Sequence, residues 1–276
     1  MKKQCKKIGM LLIAVMLLMS TGCAQNGEEA SVTLQQGESD LKYVQEKGTL
    51  VVGITDYAPL DYREGDKWTG FDVDLAKAFA DSLGVKLELI EIDWDKKVEL
   101  LEQGKIDCIW NGMTMTKELQ ETISCSQPYL SNAQVVVLQS GEVKRYKTEE
   151  SCQHLLFAVE AGSTGEALLK EKNYRYISCL TQLKALESVQ KKQADAAVVD
   201  IIIASSYIET RQQFGDLGFE ISLNDEKDCV GFRKGSDMTE KANKFLQTAQ
   251  EDGTIRNLAK KYKIEEAIQH EKYTGS

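Results

Sequence analysis

Histidine is almost absent from this chain. His154 and His270 are the only two in 276 residues, and the second sits in a polar tail. A Ser/His/Asp triad or a histidine-held metal has almost no material here, which counts against hydrolysis. No Cys-x-x-Cys occurs either, arguing against a zinc knuckle or a redox dithiol. Beyond an apolar run at residues 8–19 there is no second long apolar stretch, so the remainder neither spans a membrane nor supplies a pore. Basic charge is scarce as well: 34 Lys and Arg stand against 43 Asp and Glu, a net charge of −9. Four of those lysines and none of the acids fall within residues 1–22. The rest of the chain therefore carries 30 basic and 43 acidic side chains, a net of −13, which argues against a nucleic-acid partner.

What is present begins with Lys2, Lys3, Lys6 and Lys7, the apolar run, and then Ser20-Thr21-Gly22-Cys23. A charged start, an apolar core too short to span a bilayer and small residues before a cysteine are the parts of an export signal. The segment resembles a bacterial lipoprotein signal. That resemblance implies removal of residues 1–22 and lipidation of Cys23, which anchors the chain to the extracytoplasmic face of the membrane, as by a palmitate chain. An ordinary cleaved secretory signal is the plainer alternative. Residues 23–42 lack apolar periodicity and read as a flexible tether. With Cys5 cleaved away and Cys23 lipidated, Cys108, Cys125, Cys152, Cys179 and Cys229 remain, an odd number that cannot pair completely. A Cys152–Cys179 bridge is one pairing; buried free thiols are the other outcome.

Composition and length suit two medium α/β lobes. Residues 49–54 form a β-branched strand that ends in a Thr55-Asp56-Tyr57-Ala58-Pro59 turn. From Gly70 the period becomes helical, with Phe71, Leu75 and Phe79 four apart, acids in the first turn and Gly84 at the end. A strand at 85–92, a helix at 95–103 and a strand at 106–110 follow. The same grammar returns later: strand 155–160, helix 165–170, strand 174–179, helix 181–193, strand 196–199. Alternation of this kind makes a parallel sheet flanked by helices. Ligands of such sheets sit beyond the carboxyl ends of the strands, here Thr55, Asp56 and Tyr57, Trp94, residues 111–114, residues 161–165, and Asp200.

Several of those ends carry chemistry. Ser163 and Glu166 in Gly162-Ser163-Thr164-Gly165-Glu166 fit a capping box, and free amides at such a helix start can also receive a small anion. Trp110-Asn111-Gly112-Met113-Thr114 reads as a strand closed by a turn, either an ordinary turn with a capping threonine or a polar ligand-binding loop. Tyr57 and Trp94 suit either a core or a sandwich around an apolar or cationic group. Asp200 suits a helix N-cap, the partner of a ligand ammonium, or both.

Taken together, Val51-Val52-Gly53, Tyr57-Ala58-Pro59, Thr69-Gly70-Phe71-Asp72, Asp93-Trp94-Asp95, Gly104-Lys105-Ile106-Asp107, Gly112-Met113-Thr114-Met115-Thr116, Ser126-Gln127-Pro128-Tyr129, Gly162-Ser163-Thr164-Gly165-Glu166, Gly231-Phe232-Arg233-Lys234-Gly235 and Asp252-Gly253-Thr254 occur in an order that resembles the type-3 extracellular solute-binding proteins. These serve bacterial polar amino-acid ABC importers. The resemblance covers about residues 48–264. It implies a type II periplasmic-binding-protein-like α/β fold: two parallel-type sheets flanked by helices and joined by two hinge strands near residues 134–138 and 228–232. Lobe 1 would comprise residues 43–135 and 228–268, lobe 2 residues 136–227, with 269–276 a polar tail. It further implies that Tyr57 and Trp94 sandwich the ligand side chain, that Asn111, Gly112, Met113 and Thr114 bind its polar groups, that Gly162, Ser163 and Thr164 receive its α-carboxylate, and that Asp200 holds its α-ammonium. Asp56 or Thr55 takes the acid position of the first loop. One departure stands out: Thr116-Lys117-Glu118-Leu119 replaces the family's Thr-Pro-Glu-Arg, so Leu119 stands where an arginine would grip the carboxylate.

The function so implied is that of a receptor, expected to be monomeric, without catalytic residues, metal or cofactor. It would bind an amino acid or small amine between two lobes and deliver it to ABC permease subunits. Two rivals remain: a secreted dehydratase-like enzyme on the same fold, which needs a general acid in the cleft, and a ligand-binding sensory module acting through a separate partner.

Overall fold

The computed structural model describes residues 39–268. The expected leader, the lipidation site Cys23, most of the tether and the tail at 269–276 lie outside the described residues. A helix Asp40–Lys47 begins three residues inside the span expected to be tether. Ser39 caps it by accepting from Lys42 N at 3.0 Å, and Gly48 closes it in the left-handed conformation. Two further contacts pin the helix to the body: Leu41 N donates to Asp237 Oδ1 at 2.9 Å, and Arg233 Nε pairs with Asp40 at 3.1 Å.

The first lobe contains β1 Thr49–Ile54, a small hairpin of β2 Tyr62–Glu64 and β3 Lys67–Thr69, then β4 Lys86–Glu91, β5 Cys108–Thr114, β6 Ser124–Cys125 and β7 Leu130–Asn132. The chain then builds β8 Gln134–Gln139, β9 Leu156–Glu160, β10 Arg175–Cys179, β11 Ala196–Asp200 and β12 Leu217–Ser222 before returning as β13 Glu226–Phe232. One sheet has the order β4-β1-β5-β13-β6, with β7 also on β13; the other runs β10-β9-β11-β8-β12. Each is mixed rather than parallel throughout. β1 is parallel to β4 and β5, and β9 to β10 and β11, whereas β13, β8 and β12 run antiparallel. The antiparallel members are the strands by which the chain leaves and re-enters each lobe. All of β8 pairs within the second sheet and all of β13 within the first. The passages therefore fall at Ala133 and at residues 223–225, just ahead of the two segments expected to be hinges.

Helices cover both faces of each sheet, so strands such as β1, β5, β11 and β13 are buried almost along their whole length. Phe71–Leu83 shows why the periodicity was readable: Phe71, Leu75, Ala76, Phe79 and Leu83 form its buried stripe, and Gly84 N caps it on Ala80 and Asp81 carbonyls. At its start Gly70 has φ 141°, and a Cβ there would lie 1.9 Å from Leu60 O. Gly70→Ala is accordingly expected to destabilise the protein by about 1–3 kcal/mol, lowering the thermal midpoint by several degrees. An unchanged melting curve would contradict this account of the turn. The five cysteines among the described residues are all free, Cys152 and Cys179 included. Cys152 instead donates to Thr148 O, and Cys179 lies 3.9 Å from Ser188 Oγ.

Candidate functional site

The C-terminal ends of β1 and β5 in one lobe and of β9 and β11 in the other converge on a cavity of about 220 Å³. Its lining includes Tyr57, Trp94, Asn111, Gly112, Met113, Thr114, Gly162, Ser163, Thr164 and Asp200. Ten of the eleven expected ligand-contacting residues thus meet in one place. The exception is Asp56, which is absent from the lining; Thr55 is there in its stead. The Asp56 carboxyl is turned toward Tyr207 and Arg211, and burial raises its pKa.

Meeting in the cavity is not the same as being free to bind. Asn111 Oδ1 accepts from Thr55 N at 3.1 Å and Thr55 Oγ1 at 2.7 Å, while its Nδ2 donates to Thr55 O at 3.2 Å and Asp61 Oδ2 at 2.6 Å. That uses the full capacity of an amide side chain, so Asn111 positions the first loop. Gly112 N is likewise committed to Asp72 Oδ2 at 2.8 Å, and Thr114 Oγ1 to Glu226 Oε2 at 2.8 Å. The segment 111–114 is not the expected turn. It continues β5, because Met113 and Thr114 pair with Cys229 and Asp228 of the returning strand. Gly112 makes the irregularity, with φ 53° and no room for a Cβ beside Leu60 and Tyr57, each within 2.8 Å.

The second lobe supplies more uncommitted chemistry. Ser163 caps the helix Thr164–Glu171 by accepting from Glu166 N at 3.1 Å, and Glu166 Oε2 accepts from Gly162 N at 3.0 Å. Thr164 and Gly165, the first two residues of that helix, have no preceding turn to receive their N–H groups. Asp200 stands at the N-cap position of the short helix Ile201–Ala204 without capping it. Its carboxylate instead accepts from the Gln134 amide and from Gln182 Nε2 at 2.6 Å, while its N–H donates to Gln182 Oε1 at 2.8 Å. Burial pushes its pKa up to about 6, with Glu226 adding to the rise. Glu160, the last residue of β9, is 4 % exposed, and burial together with the charge of Asp200 pushes it up to about 8. The Tyr57 hydroxyl is buried close to Asp200 but makes no hydrogen bond of standard geometry.

Against these acids and Glu118 at the rim, Lys97 is the one cation in the lining. Its Nζ donates to Trp94 O at 3.1 Å and, across the cleft, to Gly162 O at 2.8 Å, and it lies 4.5 Å from the centre of the Trp94 ring. One face of Trp94 is therefore covered by this ammonium. Burial lowers the Lys97 pKa to about 8, against the opposing pull of Glu160. The lobes also touch where Gly162 meets Asp95: a Cβ on Gly162 would lie 2.6 Å from Asp95 Cα. Leu119, in place of an arginine, lines the cavity with apolar surface.

Lys97, Glu160, Gln134, Gln182 and Thr116 are lining residues that sequence reasoning missed. The strand-end rule would have found Glu160 had the list begun one residue earlier, and Lys97 lies one helical turn beyond Trp94. Gln134 and Gln182 carry no local signal. Among the described residues no group of three or more His, Cys, Asp or Glu is placed to hold a metal ion, and no helix is long and apolar enough to cross a membrane.

Residues 50–265 match the family model described as bacterial extracellular solute-binding proteins, family 3. The arginine-binding extracellular protein ArtP of Bacillus subtilis (strain 168) is 28% identical over 273 residues, covering 93% of this chain and 98% of its own length. A solved structure of an amino acid ABC transporter substrate-binding protein from Streptococcus pneumoniae, bound to L-arginine, superposes with a TM-score of 0.76 at 29% identity, covering 82% of this chain and 98% of that one. Cyclohexadienyl dehydratase of Pseudomonas aeruginosa is 30% identical over 181 residues, 63% of this chain and 68% of its own.

Proposed function

We propose, since the chain belongs to the bacterial extracellular solute-binding proteins of family 3, that it is an extracytoplasmic receptor for a positively charged amino acid or a closely related small amine. In this reading it is anchored through a lipid on Cys23 and hands its ligand to the permease subunits of an ABC importer. The observation that carries the ligand class is the charge of the cavity: Asp200 and Glu118 face it, Glu226 stands directly behind, and only Lys97 opposes them. A concave site with low-dielectric walls and one sign of charge concentrates ligands of the other. ArtP and the Streptococcus pneumoniae protein, both arginine binders by name, support the same class.

Calorimetric titration with the standard amino acids and a panel of small amines tests the ligand. Micromolar binding of a cationic member, about −8 kcal/mol, is expected, with acidic amino acids silent. Silence from all cationic members would remove the assignment. For the anchor, a Cys23→Ala variant is expected to leave the membrane fraction, and mass spectrometry of the wild type to find an acylated Cys23; an unmodified thiol in membrane-extracted protein would refute it.

One observation favours a second reading, an enzyme that eliminates water from its ligand. Glu160 is a buried carboxyl held protonated at neutral pH and facing the cavity, as a general acid must be. Mass analysis of the ligand after prolonged incubation separates the two: unchanged ligand supports the receptor, a dehydrated product the enzyme.

A further inference from the structure

An amino acid brings a carboxylate as well as its cationic groups, and this cavity is a poor place for one. Glu118 and Asp200 repel it, Leu119 offers only apolar surface, and the polar atoms of Asn111, Gly112 N and Thr114 are already committed within the protein. One corner differs. Lys97 Nζ bonds two backbone carbonyls, Trp94 O and Gly162 O, which leaves one of the three N–H groups of an ammonium unassigned. That ammonium rests on Gly162 O, two residues before the uncapped Thr164 and Gly165 amides of an eight-residue helix.

We propose that Lys97, which stands beside the segment 162–164 that the family resemblance assigns to the carboxylate, is the specificity residue that completes reception of the ligand's carboxylate. This rests on the reading of the ligand as an amino acid. Because the Lys97 head bonds carbonyls from both lobes, at Trp94 and Gly162, the carboxylate completes a three-way junction, and the anion is recognised where the lobes meet. The lowered pKa of about 8 fits an ammonium that burial disfavours and that an anion would restore. A role as a structural latch alone would make Lys97 indifferent to the ligand's carboxylate.

The test compares L-arginine with agmatine, its decarboxylated counterpart, by calorimetry on wild type, Lys97→Met and Lys97→Arg. Wild type is expected to bind L-arginine at least tenfold tighter than agmatine. Lys97→Met should lose about 10- to 150-fold for L-arginine, the worth of one charge-assisted hydrogen bond, and change less than threefold for agmatine. Lys97→Arg should recover part of the L-arginine loss. Equal losses for both ligands would reduce Lys97 to a latch and overturn the proposal, as would full L-arginine affinity in Lys97→Met. Equal wild-type affinity for the two ligands would overturn it while leaving the receptor reading standing. If wild type binds neither, nor the pair L-histidine and histamine, the cationic ligand class fails and the proposal falls with it. Melting curves of both variants report folding separately.

Discussion

Asp200→Asn is expected to weaken binding of a cationic amino acid by about 3–5 kcal/mol, two to three orders of magnitude or more. The carboxylate is 5 % exposed, and both its oxygens are held by glutamine amides, so its negative charge has no cationic partner in the protein. A ligand ammonium supplies that partner. Asparagine preserves the shape and removes the charge, but its amide nitrogen also faces one of the two glutamine donors, Gln134 Nε2 or Gln182 Nε2, that now bond separate oxygens. A Gln182→Glu second change would separate these effects, since it restores an acid to the same corner. Calorimetry at neutral pH is the measurement, and a loss under tenfold in Asp200→Asn would show that the ligand ammonium is held elsewhere.

Unliganded protein should lose stability, on the order of several kcal/mol, between pH 5 and pH 8. Glu160, Asp72 and Asp200 have pKa values raised by burial, to about 8, 7 and 6. Their folded forms hold protons that the unfolded chain has released above about pH 4, so the folded state is favoured at low pH and this advantage is lost as pH climbs through those values. Lys97 acts in the other window: its lowered pKa, about 8, makes stability recover above pH 8 toward the ordinary lysine range. Affinity for a cationic ligand should move oppositely to stability and rise from pH 5 to 8, because the ligand requires the carboxylates ionised. Thermal melts of ligand-free protein across pH, with parallel titrations, check both slopes. A midpoint that rises steadily from pH 5 to 8 would contradict the placement of these acids.

How much of this was visible in the chain depends on the distance over which each feature is determined. The stripe of Phe71, Leu75 and Phe79 and the closing Gly84 announce their helix because caps and periodicity are local. So do the ends of β1, β9 and β11, which is why most of the lining could be named. Asn111-Gly112 reads as a turn for the same local reason, and there the reading misleads. What carries the strand on through Met113 and Thr114 is their pairing with Cys229 and Asp228, more than a hundred positions away, and nothing at Gly112 reports that pairing. Glu160, Gln134 and Gln182 are ordinary polar residues until the sheet and its helices bring them around Asp200. Only then does Gln134 stand between Asp200 and Glu226, donating to both. Thr55 and Asp56 show the finest limit: one residue of register decides which faces the cavity and which faces Arg211.

The contact between Gly162 and Asp95 gives the site a fixed gauge. With no side chain at Gly162, the approach of the lobes ends where one peptide backbone meets another, at a Cβ-to-Cα spacing of 2.6 Å had a side chain been there. Peptide units are planar and stiff, unlike the rotatable tips that line most cavities. The closest approach of the lobes at this contact is thus limited by backbone instead of by whichever rotamers happen to be populated. At that point a ligand is measured against a rigid calliper, while adjustment to its bulk falls to the side chains of Lys97, Met113 and Leu119 elsewhere in the lining.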